Sequence, residues 1–160
     1  MSKKEFVISP IGYVRHNEEG TYLELSDKYF GAISGLEGFN YINVLWWGSF
    51  TDEDELREIV ECEKPYKGAP DKMGILATRS PVRPNPVLLS VANIVRIDKG
   101  RIYLAYIDAE DGTPIIDIKP YHPSGDRIRD VEVPEWCGHW PKWYEDSAEF
   151  DWQAEFVNAR

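Results

Sequence analysis

Hydrophobic and polar positions along the chain alternate mostly with the two-residue period of β-strands. Six runs have this character, are rich in β-branched or aromatic side chains, and are predicted to be strands: residues 6–14, 21–25, 41–50, 87–97, 101–108 and 115–118. Asp98-Lys99-Gly100 predicts a three-residue hairpin turn between the fourth and fifth runs. Apolar residues fall on both faces of that hairpin, so we expect both faces to be covered.

Helical periodicity is confined to short segments. Residues 51–63 are predicted to form a helix, because Thr51 and Asp54 resemble a capping box at its start. Its apolar stripe ends at Val60. A further short helix is predicted at residues 148–157. Many short strands with few helices predict a mainly β fold. We expect a single compact β-barrel domain over residues 1–160, with a core at about residues 6–121 and a Trp-rich C-terminal tail at 122–160.

Composition and charge narrow the class of protein. The 160 residues carry a formal net charge of −10, which argues against a protein that coats nucleic acid but leaves room for RNA at a local basic patch. Two cysteines, Cys62 and Cys137, fit neither a disulfide framework nor a zinc motif, and we expect no metal. Apolar runs fall short of the ~20 residues of a membrane span. The N-terminal MSKKEF does not resemble a signal peptide, so a cytoplasmic protein without a membrane partner is expected.

The segment best suited to a binding site is residues 73–93, which reads MGILATRSPVRPNPVLLSVAN. Three prolines within residues 81–86 restrict the backbone and remove three amide donors, so the loop is stiff before any ligand arrives. The loop presents Arg79, Arg83 and Asn85. Two guanidinium groups and an amide suit a ligand that is anionic or carries a carboxylate.

Two motifs in this chain, ATRSPVRPNP and the downstream DGTPIIDIKPY at residues 111–121, resemble the signature of the TsaA-like family. The best-understood members of that family are S-adenosylmethionine-dependent tRNA methyltransferases. The resemblance implies a compact β-barrel, a homodimer, S-adenosylmethionine as cofactor and tRNA as partner. It also implies that the cofactor contacts Arg79 and the backbone around Leu89, and that the same pocket is lined by Asp108, Ala109, Asp111, Gly112 and Thr113.

Methyl transfer to an exocyclic amine needs a group that orients the amine and a route for its proton. Asn85, Asp117 and Tyr121 are the polar side chains that could serve. Asp117 could equally be a buried aspartate bonded to Lys119 or to backbone amides. The residues that could meet RNA phosphate are Arg83, Lys119, Arg127 and Arg129. A solvated charged turn explains Lys119, Arg127 and Arg129 equally well.

The resemblance predicts a methyltransferase that acts on the threonylcarbamoyl-modified adenosine beside the tRNA anticodon. Two alternatives stay open. The acidic charge, and NEEGTYLEL where the family commonly has a Pro-Arg-Gln segment, favour a small-molecule acceptor on the same fold. The second alternative is a non-enzymatic module that binds the cofactor, or that binds a partner through Trp136, Trp140 and Trp143.

Overall fold

The computed structural model describes residues 6–158, and the chain forms two compact units. Residues 6–49 and 87–127 make up the first, called here the barrel unit; residues 50–86 and 128–158 make up the second, the loop–tail unit. The remaining residues, 1–5 and 159–160, include most of the MSKKEF segment and lie outside the described part of the chain. The Trp-rich tail thus groups with residues 50–86, whereas the single domain stays a prediction.

The barrel unit is a closed antiparallel barrel of six strands in the order β1-β2-β7-β6-β3-β8. This architecture confirms the predicted mainly β barrel with few short helices. Its strands are β1 (Gly12–Asn17), β2 (Gly20–Leu25), β3 (Tyr41–Trp47), β6 (Val87–Asp98), β7 (Arg101–Leu104) and β8 (Pro114–Pro120).

The loop–tail unit contains a small antiparallel ribbon of two three-residue strands, β4 (Glu61–Glu63) and β5 (Lys72–Gly74). Helices are short throughout the described chain. The α-helices are α1 (Asp54–Arg57), α2 (Pro123–Asp126) and α3 (Trp152–Glu155). The 3-10 turns are Asp27–Ile33, Ser49–Thr51, Ile75–Ala77, Glu135–Cys137 and Glu145–Glu149.

Alternation along the strands fills the inside of the barrel with aliphatic side chains. Val14, Leu23, Ile42, Ile102 and Ile115 are fully buried there. Because successive side chains of a strand point to opposite faces, the residues between them lie on the outside of the barrel. Side chains on that outer face can therefore meet a ligand without disturbing the core.

The hairpin between β6 and β7 differs from its prediction. Asp98 pairs directly with Arg101, so the turn has two residues, Lys99 and Gly100, both with positive φ of 45° and 78°. Positive φ at both central residues matches a type I′ turn, whose twist suits a tight hairpin. The prediction that both faces are covered is also wrong, since Leu89 and Val95 are 47% and 62% exposed.

The two predicted longer helices are wrong in extent. Within residues 51–63 the only α-helix is α1. The Thr51 hydroxyl does not cap it but donates to the Pro81 carbonyl at 2.9 Å, and no other side chain caps the helix. Val60 is 69% exposed, and the chain turns into β4 directly after it. In the tail, the Asp151 carboxylate accepts from the Ala154 amide at 2.9 Å and starts a new helix, which divides the predicted one.

Membrane-spanning helices and metal-binding clusters are both absent from residues 6–158. No helix there has the length and apolar character to cross a bilayer. Within the same residues, no group of three or more His, Cys, Asp or Glu side chains could hold a metal ion.

Candidate functional site

The signature loop, residues 78–86, is locked by hydrogen bonds from its own short side chains. Thr78 is buried, its hydroxyl donates to the Ile75 carbonyl at 2.8 Å, and the same oxygen accepts from the Ser80 amide at 3.1 Å. The Ser80 hydroxyl in turn accepts from the Val82 amide at 3.2 Å. Such local bonds replace those of regular secondary structure and hold an irregular backbone in one shape.

The two arginines of the loop have different surroundings. Arg83 is half-buried, and its guanidinium donates to the carbonyls of Ser80 at 3.3 Å and Thr78 at 3.5 Å. Arg79 is exposed, and among residues 6–158 its guanidinium has no hydrogen-bond or ion-pair partner. Arg83 therefore helps to close the loop, whereas Arg79 is available to a ligand. Asn85, also exposed, likewise keeps its amide without a partner in the described chain.

Tyr66 belongs to the same loop–tail unit as the signature loop, and its side chain is buried. Burial raises the pKa of Tyr66, and the backbone of Arg79 acts in the opposite direction.

In the barrel unit, the loop of residues 108–113 is held by His16 of β1. The His16 ring contacts the Ala109 carbonyl through Nε2 at 2.7 Å and the Thr21 hydroxyl through Nδ1 at 2.9 Å. A carbonyl only accepts, so Nε2 carries the proton and Nδ1 of the neutral ring accepts from Thr21. The His16 amide also donates to the Asp111 carboxylate at 2.8 Å. His16 was not among the predicted site residues, because its contact with Ala109 lies 93 positions away in the sequence.

The two aspartates of this loop differ, like the two arginines, in whether the side chain already has a hydrogen-bond partner in the described chain. Asp111 is engaged by His16, whereas the exposed Asp108 carboxylate has no hydrogen bond or ion pair within residues 6–158. Burial, and then the charge of Asp108, raise the pKa of Tyr106. Thr113 is buried, and Gly112 has a φ of 78°, a conformation that favours glycine.

Leu89 and Asp117 lie in one cross-strand row, because both pair with Leu45 of β3. This row is on the face opposite to the fully buried Val44, so it faces outward. The Asp117 carboxylate is ion-paired with Lys119 Nζ at 2.7 Å and accepts from the Ile118 amide at 2.9 Å. The hydrogen bond to Asp117 raises the pKa of Lys119. Asp117 thus has the partners predicted for the structural alternative, but it is not buried, since its side chain is 44% exposed.

The other predicted residues differ in how available they are. The ring of Tyr121 is half-buried and meets Tyr41 edge-on with centroids 6.5 Å apart. Arg127, in the barrel unit, and Arg129, in the loop–tail unit, are exposed and have guanidinium groups without an ion-pair partner in the described chain. Since Arg83 and Lys119 are engaged, these two are the better candidates for contact with phosphate.

An open cleft of about 720 Å³ on the barrel unit contains none of the predicted site residues. Its wall includes Glu24, which bonds Arg15 at 3.0 Å and Arg101 at 3.1 Å. The hydrogen bond from Arg15 outweighs burial and, with Arg101, holds the pKa of Glu24 below its usual range. Glu19, Glu24 and Arg101 of the cleft are thus paired, whereas its other charged side chains have no ion pair within residues 6–158: Asp27, Arg96, Asp98 and Lys99.

Known proteins similar to this chain include archaeal, bacterial and mammalian sequences. A protein of Pyrococcus horikoshii, named a probable S-adenosyl-L-methionine-binding protein, is 37% identical over 119 residues, covering 74% of this chain and 85% of the relative. The tRNA (adenine(37)-N6)-methyltransferase of Escherichia coli is 36% identical over 106 residues, but this chain spans 44% of its length.

Solved structures and a family model agree with these relatives. The crystal structure of TrmO from Pseudomonas aeruginosa superposes with a TM-score of 0.63 and 29% identity over 81% of this chain, which spans 61% of that protein. The model of the tRNA-methyltransferase O N-terminal domain matches residues 5–127, more than half of the sequence. By this match the chain belongs to the tRNA-methyltransferase O N-terminal domain family.

Proposed function

We propose that this protein is an S-adenosylmethionine-dependent methyltransferase that modifies N6 of adenosine 37 in tRNA. The observation that carries the proposal is the family match over residues 5–127, which includes both signature motifs. Relatives from Escherichia coli and Mus musculus bear the name tRNA (adenine(37)-N6)-methyltransferase, at 36% and 35% identity. Relatives named for binding S-adenosylmethionine support the cofactor.

The residues without partners fit the chemical groups of this cofactor. When bound, S-adenosylmethionine supplies a methyl group already activated by its sulfonium. The guanidinium of Arg79 suits a carboxylate, which it can bind through two parallel hydrogen bonds. The carboxylate of Asp108 suits an ammonium group or ribose hydroxyls. Leu89, half exposed, offers apolar surface and a strand backbone.

The role of orienting the acceptor amine is proposed for Asn85, Asp117 and Tyr121. Asn85 is the best placed chemically, because its side-chain oxygen can accept from an N6 amine without first breaking a bond to the described chain. Asp117 would have to leave Lys119, or act with it as an ion pair. Positioning, rather than strong acid–base chemistry, is the main demand on these side chains.

Three finer points belong to the same proposal. We infer that the adenosine carries the threonylcarbamoyl group, that the protein works as a homodimer, and that it acts in the cytoplasm, where a tRNA substrate is found. Light scattering at working concentration measures the dimer. A mass corresponding to one chain would contradict it.

The test of the function is transfer of a labelled methyl group from S-adenosylmethionine to tRNA. Substrates are tRNA with and without the threonylcarbamoyl group, with tRNA in which guanosine replaces adenosine 37 as the matched control. Nucleoside mass spectrometry should find one added methyl on N6 of residue 37 alone. Binding of the cofactor without transfer to any of these tRNAs would overturn the tRNA substrate.

A second candidate function is supported by one observation. Four archaeal relatives, all named S-adenosyl-L-methionine-binding proteins and three of them as probable, are covered over 81–98% of their length, against 44% for the Escherichia coli enzyme. This favours a binding module, or a methyltransferase of small molecules. Formation of S-adenosylhomocysteine in the presence of tRNA, and its absence without tRNA, would exclude both.

A further inference from the structure

We infer that the open cleft on the barrel unit binds a ribonucleotide of single-stranded RNA, whose base stacks on side chains of the cleft. The residues that line the cleft belong neither to the signature loop nor to the loop of residues 108–113, so this is a second site. The proposed function enters only in naming tRNA as the RNA that supplies the nucleotide.

The register of four neighbouring strands places two cross-strand rows of side chains at the cleft. Across β1, β2, β7 and β6, the first row is Arg15, Tyr22, Tyr103 and Arg96, and the second is Tyr13, Glu24, Arg101 and Asp98. The whole second row lines the cleft, as do Tyr103 and Arg96 of the first. Between the rows lie the fully buried Val14, Leu23 and Ile102. Because side chains alternate along a strand, both rows are on the outside of the barrel.

Three guanidinium groups of these rows lie over tyrosine rings. The distances from Cζ to the ring centroid are 3.3 Å for Arg96 on Tyr103, 4.9 Å for Arg101 on Tyr22 and 5.5 Å for Arg15 on Tyr13. At 3.3 Å a planar guanidinium has room only to lie flat on the ring, so one plane of the exposed Arg96 faces away from the barrel. Unpaired bases of RNA stack on guanidinium planes of this kind.

The charges of the cleft suit a nucleotide better than a simple anion. Within residues 6–158, Arg96 and Lys99 have no ion pair, and neither do the carboxylates of Asp27 and Asp98. The two cations can bind a phosphate, whereas the two carboxylates repel an anion that brings no donors. A ribonucleotide brings donors in its 2′-hydroxyl and in the amines of its base, and a carboxylate accepts from both.

Aromatic rings add stacking surface to the same cleft. Tyr13 and Phe30 line it and are each 40% exposed, although phenylalanine is among the residues most often buried. Phe30 is fixed in place, because it lies so close to Gly100 that a Cβ there would overlap the ring. Stacking on such rings tolerates any base, since every base has a π-face. The cleft therefore selects for an unpaired nucleotide rather than for a sequence.

The first readout is fluorescence anisotropy, with a labelled single-stranded oligoadenylate of RNA as the probe. Arg96→Ala should weaken binding about tenfold, within the range for loss of one stacked base. Arg96→Lys keeps the charge but not the plane, so it should bind nearly as weakly as Arg96→Ala. Lys142→Ala removes a positive charge from an exposed position of the loop–tail unit and is the matched control. It should behave as the unaltered protein.

The second readout is the dependence of the same binding on salt. Lys99→Asn removes the charge but keeps the hairpin, since Asn-Gly is a preferred pair for a type I′ turn. The slope of log affinity against log salt should become shallower by about 0.7, the value for one phosphate contact of a single strand. Lys142→Ala should leave the slope unchanged, and an equal change in both variants would overturn the contact of Lys99 with phosphate.

The third readout compares the RNA probe with DNA of the same base sequence. The unaltered protein should prefer RNA, and the double variant Asp27→Ala with Asp98→Ala should have a smaller ratio of the two affinities. Charge removed from the protein affects both probes alike, so the ratio reports the contact with the 2′-hydroxyl. Adenosine monophosphate should compete more weakly than the oligonucleotide, because it offers a single phosphate. Competition by the two at equal concentration would overturn RNA as the occupant in favour of a free nucleotide.

The outcomes distinguish this site from the proposed function. An unaltered protein that does not bind the probe, or Arg96 variants that bind it as tightly as the unaltered protein, would overturn the cleft as an RNA site, whether or not tRNA is methylated. Full binding by Arg96→Lys alone would overturn stacking on the guanidinium. Weaker RNA binding by the cleft variants of a protein that transfers no methyl group to tRNA would support the site and refute the proposed function.

Discussion

Substituting the two arginines of the signature loop one at a time tests the assignment of Arg83 to the loop itself and of Arg79 to a ligand. Arg83→Ala removes two hydrogen bonds to loop carbonyls, at 3.3 and 3.5 Å. These are long for N–H···O bonds, so we expect the pair to contribute about 1–2 kcal/mol to stability rather than twice the usual net value. For a chain of this size the unfolding temperature should fall by about 2–8 °C.

Arg79→Ala should have the opposite profile. The side chain is exposed and unpartnered in the described chain, so the free energy of unfolding should change by less than about 0.5 kcal/mol. Affinity for S-adenosylmethionine should fall by the value of a charge-assisted hydrogen bond, about 1.5–3 kcal/mol, which corresponds to roughly 10- to 150-fold in Kd.

Thermal unfolding and titration calorimetry on the same preparations measure both quantities. Arg83→Lys is the informative control, since it keeps the charge but loses the planar fork that reaches two carbonyls. It should destabilise the protein nearly as much as Arg83→Ala. If Arg83→Ala left the unfolding temperature unchanged and weakened binding as strongly as Arg79→Ala, the reasoning that assigns Arg83 to the loop would be refuted.

Three further predictions concern other parts of the molecule. Gly12→Ala should lower the free energy of unfolding in urea by about 1–3 kcal/mol, because a Cβ there would lie 2.8 Å from a Cα of the neighbouring strand. Gly74→Ala is the control and should be neutral in the same assay, because a Cβ at Gly74 would meet open space and its φ is ordinary. Asp108→Asn should weaken cofactor binding without loss of stability, whereas Asp111→Asn should lower the unfolding temperature. Equal effects of the two substitutions on cofactor affinity would contradict the assignment of Asp108 to the ligand and of Asp111 to His16. For Glu155, burial alone would raise the pKa, but two hydrogen bonds outweigh it and lower it. The stability that Glu155 contributes is therefore present above its unfolded pKa of about 4.3 and is lost as the pH falls through the folded pKa. In urea unfolding, the midpoint of Glu155→Gln should approach that of the unaltered protein in acid and differ from it at pH 7.

Local pattern determined most of the barrel strands and the loop on which the site is proposed, although β1 is Gly12–Asn17 rather than the predicted 6–14, and β4 and β5 were not predicted. Alternating apolar residues in β1 and β3 require a face to be buried, and a barrel is one of few ways to do this with short strands. The prolines of the signature loop restrict its backbone through their own rings, wherever the loop lies. Such effects act within a few residues, so they can be read along the chain.

Tertiary contacts decided which of the predicted side chains are available. Arg79 and Arg83 look alike in the sequence, and so do Asp108 and Asp111, yet one of each pair is engaged. His16 reaches Ala109 across 93 positions, and Trp136 of the tail stacks on the ring of Tyr66. Hydrogen bonds of this kind depend on which distant segments the core brings together, and neither residue type nor spacing encodes that choice locally.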